Sequence, residues 1–122
     1  NKIKALVETS SVIDVIYQMT FDGIGCCWVK DLHNDYQIKG LITDGDLRRA
    51  LKKTDPKYWG TLQAKDLMTI NPITVSPDTM AIDALNLMER NLKKPIAIIP
   101  VTRGNKEFLG FLRLHDLIQR GL

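Results

Sequence analysis

The sequence predicts an α+β fold built from two copies of one βαββα unit. Three observations carry this. A hydroxyl residue opens an amphipathic helix twice, a polar turn joins two strand-like apolar runs twice, and the later run carries a glycine before passing directly into a second helix twice.

In the first copy Ala5-Leu6-Val7 reads as a short strand, followed by Ser10-Ser11-Val12-Ile13-Asp14-Val15-Ile16 leading to Gln18-Met19. In the second copy Ile73-Thr74-Val75 precedes Thr79-Met80-Ala81-Ile82-Asp83-Ala84-Leu85, leading to Leu87-Met88. Ser10 or Ser11, and Thr79, suit the helix start because a hydroxyl oxygen accepts from the unpartnered N–H groups of the first turn. Asp14 and Asp83 sit near the positive end of the helix dipole. Val12, Ile13, Ile16 and Met19, and likewise Ala81, Ile82, Leu85 and Met88, recur at helical spacing and predict one buried stripe per helix.

Each helix is followed by a β-like run, Cys26 to Val29 and Ile96 to Ile99. The turns Asp31 to Tyr36 and Arg103 to Lys106 then lead into third strands at Ile38 to Thr43 and Phe108 to Arg113. Gly40 and Gly110 occupy the same place in those strands. Second helices are expected at Asp46 to Leu51 and Asp116 to Arg120, and a helical turn at Ala64 to Met68. Residues 1–54 therefore read as repeat 1, 55–63 as a linker and 64–122 as repeat 2. The linker carries Tyr58 and Trp59, which suggests that it is packed against the same chain or a partner. The chain starts just inside its first unit, without an initiator methionine, and reads as a piece of a longer protein.

With 122 residues, 44% of them apolar, the chain has the means to bury a core without a disulfide or metal staple. Its two cysteines, Cys26 and Cys27, are adjacent, so they cannot form a normal bridge to each other or a spaced zinc pair. That usage points to a reducing, cytoplasmic setting. No apolar run approaches the ~20 residues of a membrane span. The net charge of +3 is spread along the chain and argues against nucleic acid as partner. His33 and His115 lack spaced co-ligands, and no phosphate-binding glycine loop occurs. Nothing in the sequence calls for a required cofactor or a catalytic site.

The exit of the third strand in repeat 1 is the chemically informative segment. Thr43 ends a strand and Asp46 lies one turn onward, which brings a hydroxyl and a carboxylate to one strand–helix junction. A carboxylate suits a vicinal diol and a hydroxyl suits a phosphate or sugar oxygen. Asp44 and Gly45 lie between them, and Gly45 permits close approach of backbone. The same pattern also fits a helix cap at Thr43 or Asp44 with Asp46 as a first-turn charge.

Two βαββα units with Gly-x-x-Thr-x-x-Asp at that exit resemble a tandem pair of cystathionine β-synthase (CBS) domains. The run GLITDGDLRRAL over Gly40 to Leu51 is similar to the C-terminal CBS pair of arabinose-5-phosphate isomerases, as are Asp66-Leu67-Met68-Thr69, Ala84 to Met88 and His115-Asp116-Leu117. The resemblance implies two repeats packed about a pseudo-twofold axis with clefts for a nucleotide or nucleotide-sugar, such as AMP, ATP or CMP-Kdo. It places Thr43 and Asp46 at ribose and phosphate positions, with Ile24, Gly25 and Cys26 lining the same cleft. In repeat 2, Asp116 keeps the aspartate but Arg113 replaces the threonine, so Arg113 reads either as an anion contact or as a solvated charge. His115 reads as an anion or ring contact, or as a structural residue. The resemblance also implies an upstream sugar isomerase domain that would hold the chemistry, a regulatory role for this piece, and a homodimer or higher oligomer. Two other readings stand beside it: a structural dimerisation module with empty clefts, and an adenine-nucleotide sensor from another enzyme or a transporter.

Overall fold

A computed structural model of the chain describes residues 3–90 and 97–119. The fold is α+β. It divides into two compact units, residues 1–72 and 73–122.

In unit 1, α1 (Val12–Asp22) starts at Ser11, whose side chain accepts from the Asp14 N–H at 3.1 Å. It stops at Gly23, in the left-handed region at φ 65°, where the N–H donates to Met19 O. Its buried residues are Val12, Val15, Gln18 and Met19. Ile13 and Ile16 were expected in the stripe but are 69% and 41% exposed, because the arc facing the sheet centres on Val15 and Met19. The hairpin of β1 (Cys26–Lys30) and β2 (Ile38–Thr43) is antiparallel, with Cys26 opposite Thr43 and Val29 opposite Gly40. Leu6 adds a single parallel bridge to Val29, so Ala5-Leu6-Val7 contributes one paired residue where a strand was expected.

After β2 the chain passes directly into α2 (Asp44–Lys53). A 3₁₀ helix (Pro56–Thr61) occupies the linker, and Trp59 Nε1 donates to the carbonyls of Leu51 and Thr54 at 3.0 and 2.9 Å. The indole thus closes the C-terminal end of α2, where carbonyls lack helical partners. The helical turn α3 (Ala64–Leu67) leads into β3 (Thr69–Ile70), which pairs with Gly40 and Leu41 as a third strand that the sequence pattern did not announce. Leu6, Val15, Met19, Cys27, Val29 and Ile42 join Ala64 and Leu67 in one core. The packing boundary after Pro72 therefore differs from the repeat boundary read from sequence. The opening residues of the second repeat complete the core of the first unit.

Unit 2 contains α4 (Ala81–Arg90), the antiparallel pair β4 (Ile98–Arg103) and β5 (Glu107–Arg113), and α5 (Leu114–Gln119). Ile96, expected to begin the strand, lies outside the described residues. Ala84, Leu85 and Met88 form the buried stripe of α4 with Ile99, Val75 and Leu117. Ala81 is exposed and Ile82 is 48% exposed, so Ile82 repeats the outward placement of its counterpart Ile13.

The duplication extends to individual hydrogen bonds. Leu6 N donates to Trp28 O and Val75 N to Pro100 O; Lys30 N donates to Leu6 O and Thr102 N to Val75 O. Both hairpins carry a register shift at the matching step, Val29/Lys30 and Val101/Thr102. Ser10 and Thr79 also match, since each hydroxyl accepts from the backbone N–H three residues earlier, Val7 and Ser76, at 3.0 and 3.1 Å. Thr79 was expected at the helix start; instead it closes this turn. The two third-strand glycines differ. A Cβ on Gly40 would lie 2.6 Å from Met68 Sδ, whereas one on Gly110 would meet nothing within 4 Å.

Candidate functional site

The strand–helix junction of unit 1 is built from β1, β2 and α2. Thr43 is the N-cap of α2: its Oγ1 accepts from the Asp46 N–H at 3.1 Å, and Asp46 Oδ2 accepts from the Thr43 N–H at 2.9 Å. This reciprocal capping box satisfies two donors and fixes the angle at which β2 enters the helix. Asp46 Oδ1 also accepts from Arg49 Nη2 at 2.7 Å. Asp46 is largely shielded, with its side chain 16% exposed, while Arg49 is 57% exposed. Asp44 pairs with Arg48 on the solvent side, and its N–H donates to Gly25 O at 2.9 Å.

Thr43, Asp44 and Asp46 therefore gather at one junction as expected, with Gly25 joined through its carbonyl. Gly25 holds φ +84°, a conformation that favours glycine. Ile24 is half-buried, and Cys26 is fully buried opposite Thr43. Gly45 lies within the first turn, where an added Cβ would approach the Arg49 guanidinium at 3.1 Å. The cap reading and the ligand reading thus meet in the same atoms. Thr43 Oγ1 accepts in the box, yet a hydroxyl also carries one O–H to donate, and each carboxylate oxygen of Asp46 has capacity for more than one bond.

Unit 2 differs at the equivalent junction. The backbone bond is kept, with Leu114 N donating to Ala97 O at 2.8 Å. The side-chain arrangement is not. Arg113 Nε and Nη2 donate to Asp116 Oδ2 and Oδ1 at 3.1 and 3.3 Å, a two-point pair between half-exposed groups. His115 is exposed beside them.

Asp116 also lines a cavity of about 750 Å³ within unit 2. Its polar lining comes from Ser76, Thr79, Asp116 and Gln119, and Val75, Ala84, Val101, Phe111, Leu112 and Leu117 give it an apolar body. The cavity is half open and its lining is nearly as polar as apolar; concave sites with convergent polar groups are the usual place for a small molecule. Of the residues expected in a second cleft, Asp116 lines this cavity and Arg113 reaches it through Asp116. Ser76 and Thr79 were not anticipated as site residues. The signal that could have found them is the hydroxyl pair spaced three apart in front of α4, repeated as Val7 and Ser10 with only one hydroxyl in repeat 1.

Residues 64–122 match the family model of the CBS domain. They are a CBS domain. The whole chain shares the fold of a solved CBS structure: a crystal structure of a CBS domain superposes with a TM-score of 0.80 at 23% identity, covering 98% of this chain and 87% of that one. A CBS domain protein from Pyrobaculum aerophilum complexed with AMP superposes with a TM-score of 0.75 at 21% identity, covering 95% and 84%. Among curated proteins, arabinose 5-phosphate isomerase KdsD of Escherichia coli (strain K12) is 32% identical over 123 aligned residues, covering 100% of this chain. The chain spans only 35% of that enzyme's length. It is thus a CBS pair homologous to one part of such isomerases. No helix among the described residues is long and apolar enough to cross a membrane.

Proposed function

We propose that this CBS pair is the regulatory, ligand-sensing part of an arabinose-5-phosphate isomerase, and that it binds a nucleotide or nucleotide-sugar. The observation that carries the reading is the unit 2 cavity, where an apolar body accompanies the hydroxyls of Ser76 and Thr79 and the carboxylate of Asp116. A flat base would cover the apolar lining, and a ribose diol would find an acceptor in the carboxylate. Homology to KdsD over the whole chain supports the choice of parent enzyme, and the AMP complex of the Pyrobaculum protein supports the ligand class. CMP-Kdo is the nucleotide-sugar nominated for the parent pathway. AMP and ATP are the adenine alternatives. The isomerase chemistry would belong to the rest of the parent enzyme, a cytoplasmic protein in this reading, and the CBS pair would report occupancy without catalysing a step.

Regulation of this kind requires that the ligand bind two conformations unequally. Isothermal titration of the chain with CMP-Kdo, AMP and ATP tests the sensing role. Saturable heat from one of them supports it, and no heat from any at millimolar concentration refutes it.

One set of side chains favours a structural dimerisation role instead. Ile13, Tyr17 and Phe21 are 69%, 66% and 74% exposed on α1, with the Tyr17 and Phe21 rings stacked at 6.0 Å. Sedimentation of the chain with and without an Ile13→Glu, Phe21→Glu change tests this: a dimer that dissociates only in the variant supports it, and a monomer in both removes it.

A further inference from the structure

Among the described residues that line the unit 2 cavity, Asp116 is the one with a charged side chain. Alone, it would repel a phosphate. In unit 1 the matching carboxylate of Asp46 is held by the Thr43 backbone and by Arg49 from within α2. In unit 2 the carboxylate is held by Arg113, the residue standing where Thr43 stands, through Nε and Nη2. A guanidinium has five N–H donors in a rigid fork, and this pairing uses one edge of it. The second edge, formed by Nη1 and Nη2, keeps three N–H groups, and the Arg113 side chain is 48% exposed. Arg113 stands outside the cavity lining and meets it through Asp116, where it both neutralises the carboxylate and presents a second planar fork, the two properties an anion-selective contact needs.

We infer that Arg113 is a specificity-determining residue that makes the unit 2 cavity select ligands carrying a phosphate beside their diol over the corresponding neutral nucleosides. This rests on the ligand-binding reading of that cavity. The Arg113–Asp116 pair stays closed in the complex, so the carboxylate remains oriented for the diol while the outer guanidinium edge takes the phosphate. Repeat 1, with threonine at this position, offers no such edge from its third strand. Each junction thus pairs its aspartate with a guanidinium, from α2 in unit 1 and from the third strand in unit 2, and replacement of the threonine moves that charge to the strand exit.

The test is a residue-resolved NMR titration of the whole chain with AMP and with adenosine, following the amides of Ser76, Thr79 and Leu117 so that only unit 2 is read. Wild type should bind AMP at least about tenfold more tightly than adenosine, the scale of one charge-assisted contact at a half-exposed rim. The preference should shrink as salt is raised from 50 to 500 mM, roughly as the screening length falls from over 10 Å to under 5 Å. Arg113→Thr should lose that preference while still binding adenosine, and Arg113→Lys should keep part of it. Far-UV circular dichroism verifies that each variant is folded. An undiminished preference for AMP in Arg113→Thr overturns the role of Arg113 and leaves the cavity a nucleotide site. Equal affinity of wild type for AMP and adenosine overturns it as well. Failure of wild type to bind either compound overturns both this inference and the adenine-nucleotide reading beneath it.

Discussion

Replacing Gly40 by alanine should destabilise unit 1 even though the change adds a single methyl group. The added Cβ would sit 2.6 Å from Met68 Sδ, 2.9 Å from its Cγ and 3.0 Å from its Cβ, against an ordinary carbon contact of about 3.5–4.0 Å. Sδ and Cγ can swing aside, but the Met68 Cβ follows its backbone. That backbone leads straight into β3, whose Thr69 and Ile70 pair with Leu41 and with Gly40 itself. Relief therefore requires β3 to lift from β2 or Met68 to leave the core it packs against. Forced insertion of a methyl group into a packed site costs about 1–3 kcal/mol. Gly110→Ala meets nothing within 4 Å and should be neutral, or stabilising by up to about 1 kcal/mol through the unfolded chain. Both tryptophans, Trp28 and Trp59, lie in unit 1, so urea unfolding followed by indole fluorescence reads that unit, and far-UV circular dichroism reads the sum. In a Met68→Ala background the penalty for Gly40→Ala should fall by about 1 kcal/mol or more, because the two closest atoms are gone. Equal stability of wild type and Gly40→Ala, or the same penalty in both backgrounds, would refute the steric account.

Three further outcomes follow from the junction and the core. Thr43→Ala removes one arm of the capping box and should lower stability by about 0.5–2 kcal/mol, with Thr43→Ser largely restoring it; a fully stable Thr43→Ala in chemical denaturation would mean the box contributes nothing. Gly25→Ala forces a side chain onto a backbone at φ +84° and should lower stability by roughly 1–2 kcal/mol although no atom lies within 4 Å of the new methyl, so an unchanged denaturation midpoint would show that the loop relaxes freely. Cys26 and Cys27, each 0% exposed, should react with a thiol reagent only as fast as the protein opens, and rapid native-state labelling of either would contradict their burial.

Much of this organisation was legible because local and long-range preferences agree along the third strands. Ile38 to Thr43 alternates little and is buried on both faces apart from Lys39 and Thr43, and the Thr-x-x-Asp spacing marks a capped helix, so the β2 and α2 junction emerged with its boundaries nearly intact. Ile13, Ile16 and Ile82 went astray because periodicity locates an apolar stripe without saying how wide an arc the partner sheet covers. The strand at Thr69–Ile70 was missed since two residues carry no period, and their pairing depends on Gly40 lying far back in the sequence. At the candidate site, sequence spacing brought Thr43 and Asp46 to one strand–helix junction, and the family resemblance pointed to Asp116. Spacing did not reveal that the Asp46 carboxylate is already bonded twice, by the Thr43 N–H and by Arg49, because side-chain satisfaction is a property of three-dimensional neighbours. Ser76 and Thr79 enter the cavity lining through the turn in front of α4, which reads from sequence as an ordinary helix approach.

The placement of Ala64 and Leu67 in the core of unit 1, although the CBS family match begins at Ala64, has a consequence for how such a chain can be cut and inherited. A fragment starting at residue 64 takes with it two side chains that the first half needs, and a fragment ending at residue 63 leaves a hole where they were. The dependence at that boundary runs one way: the first half cannot be transplanted as residues 1–63 without opening its core, whereas the buried core of the second unit is drawn from residues between Val75 and Leu117.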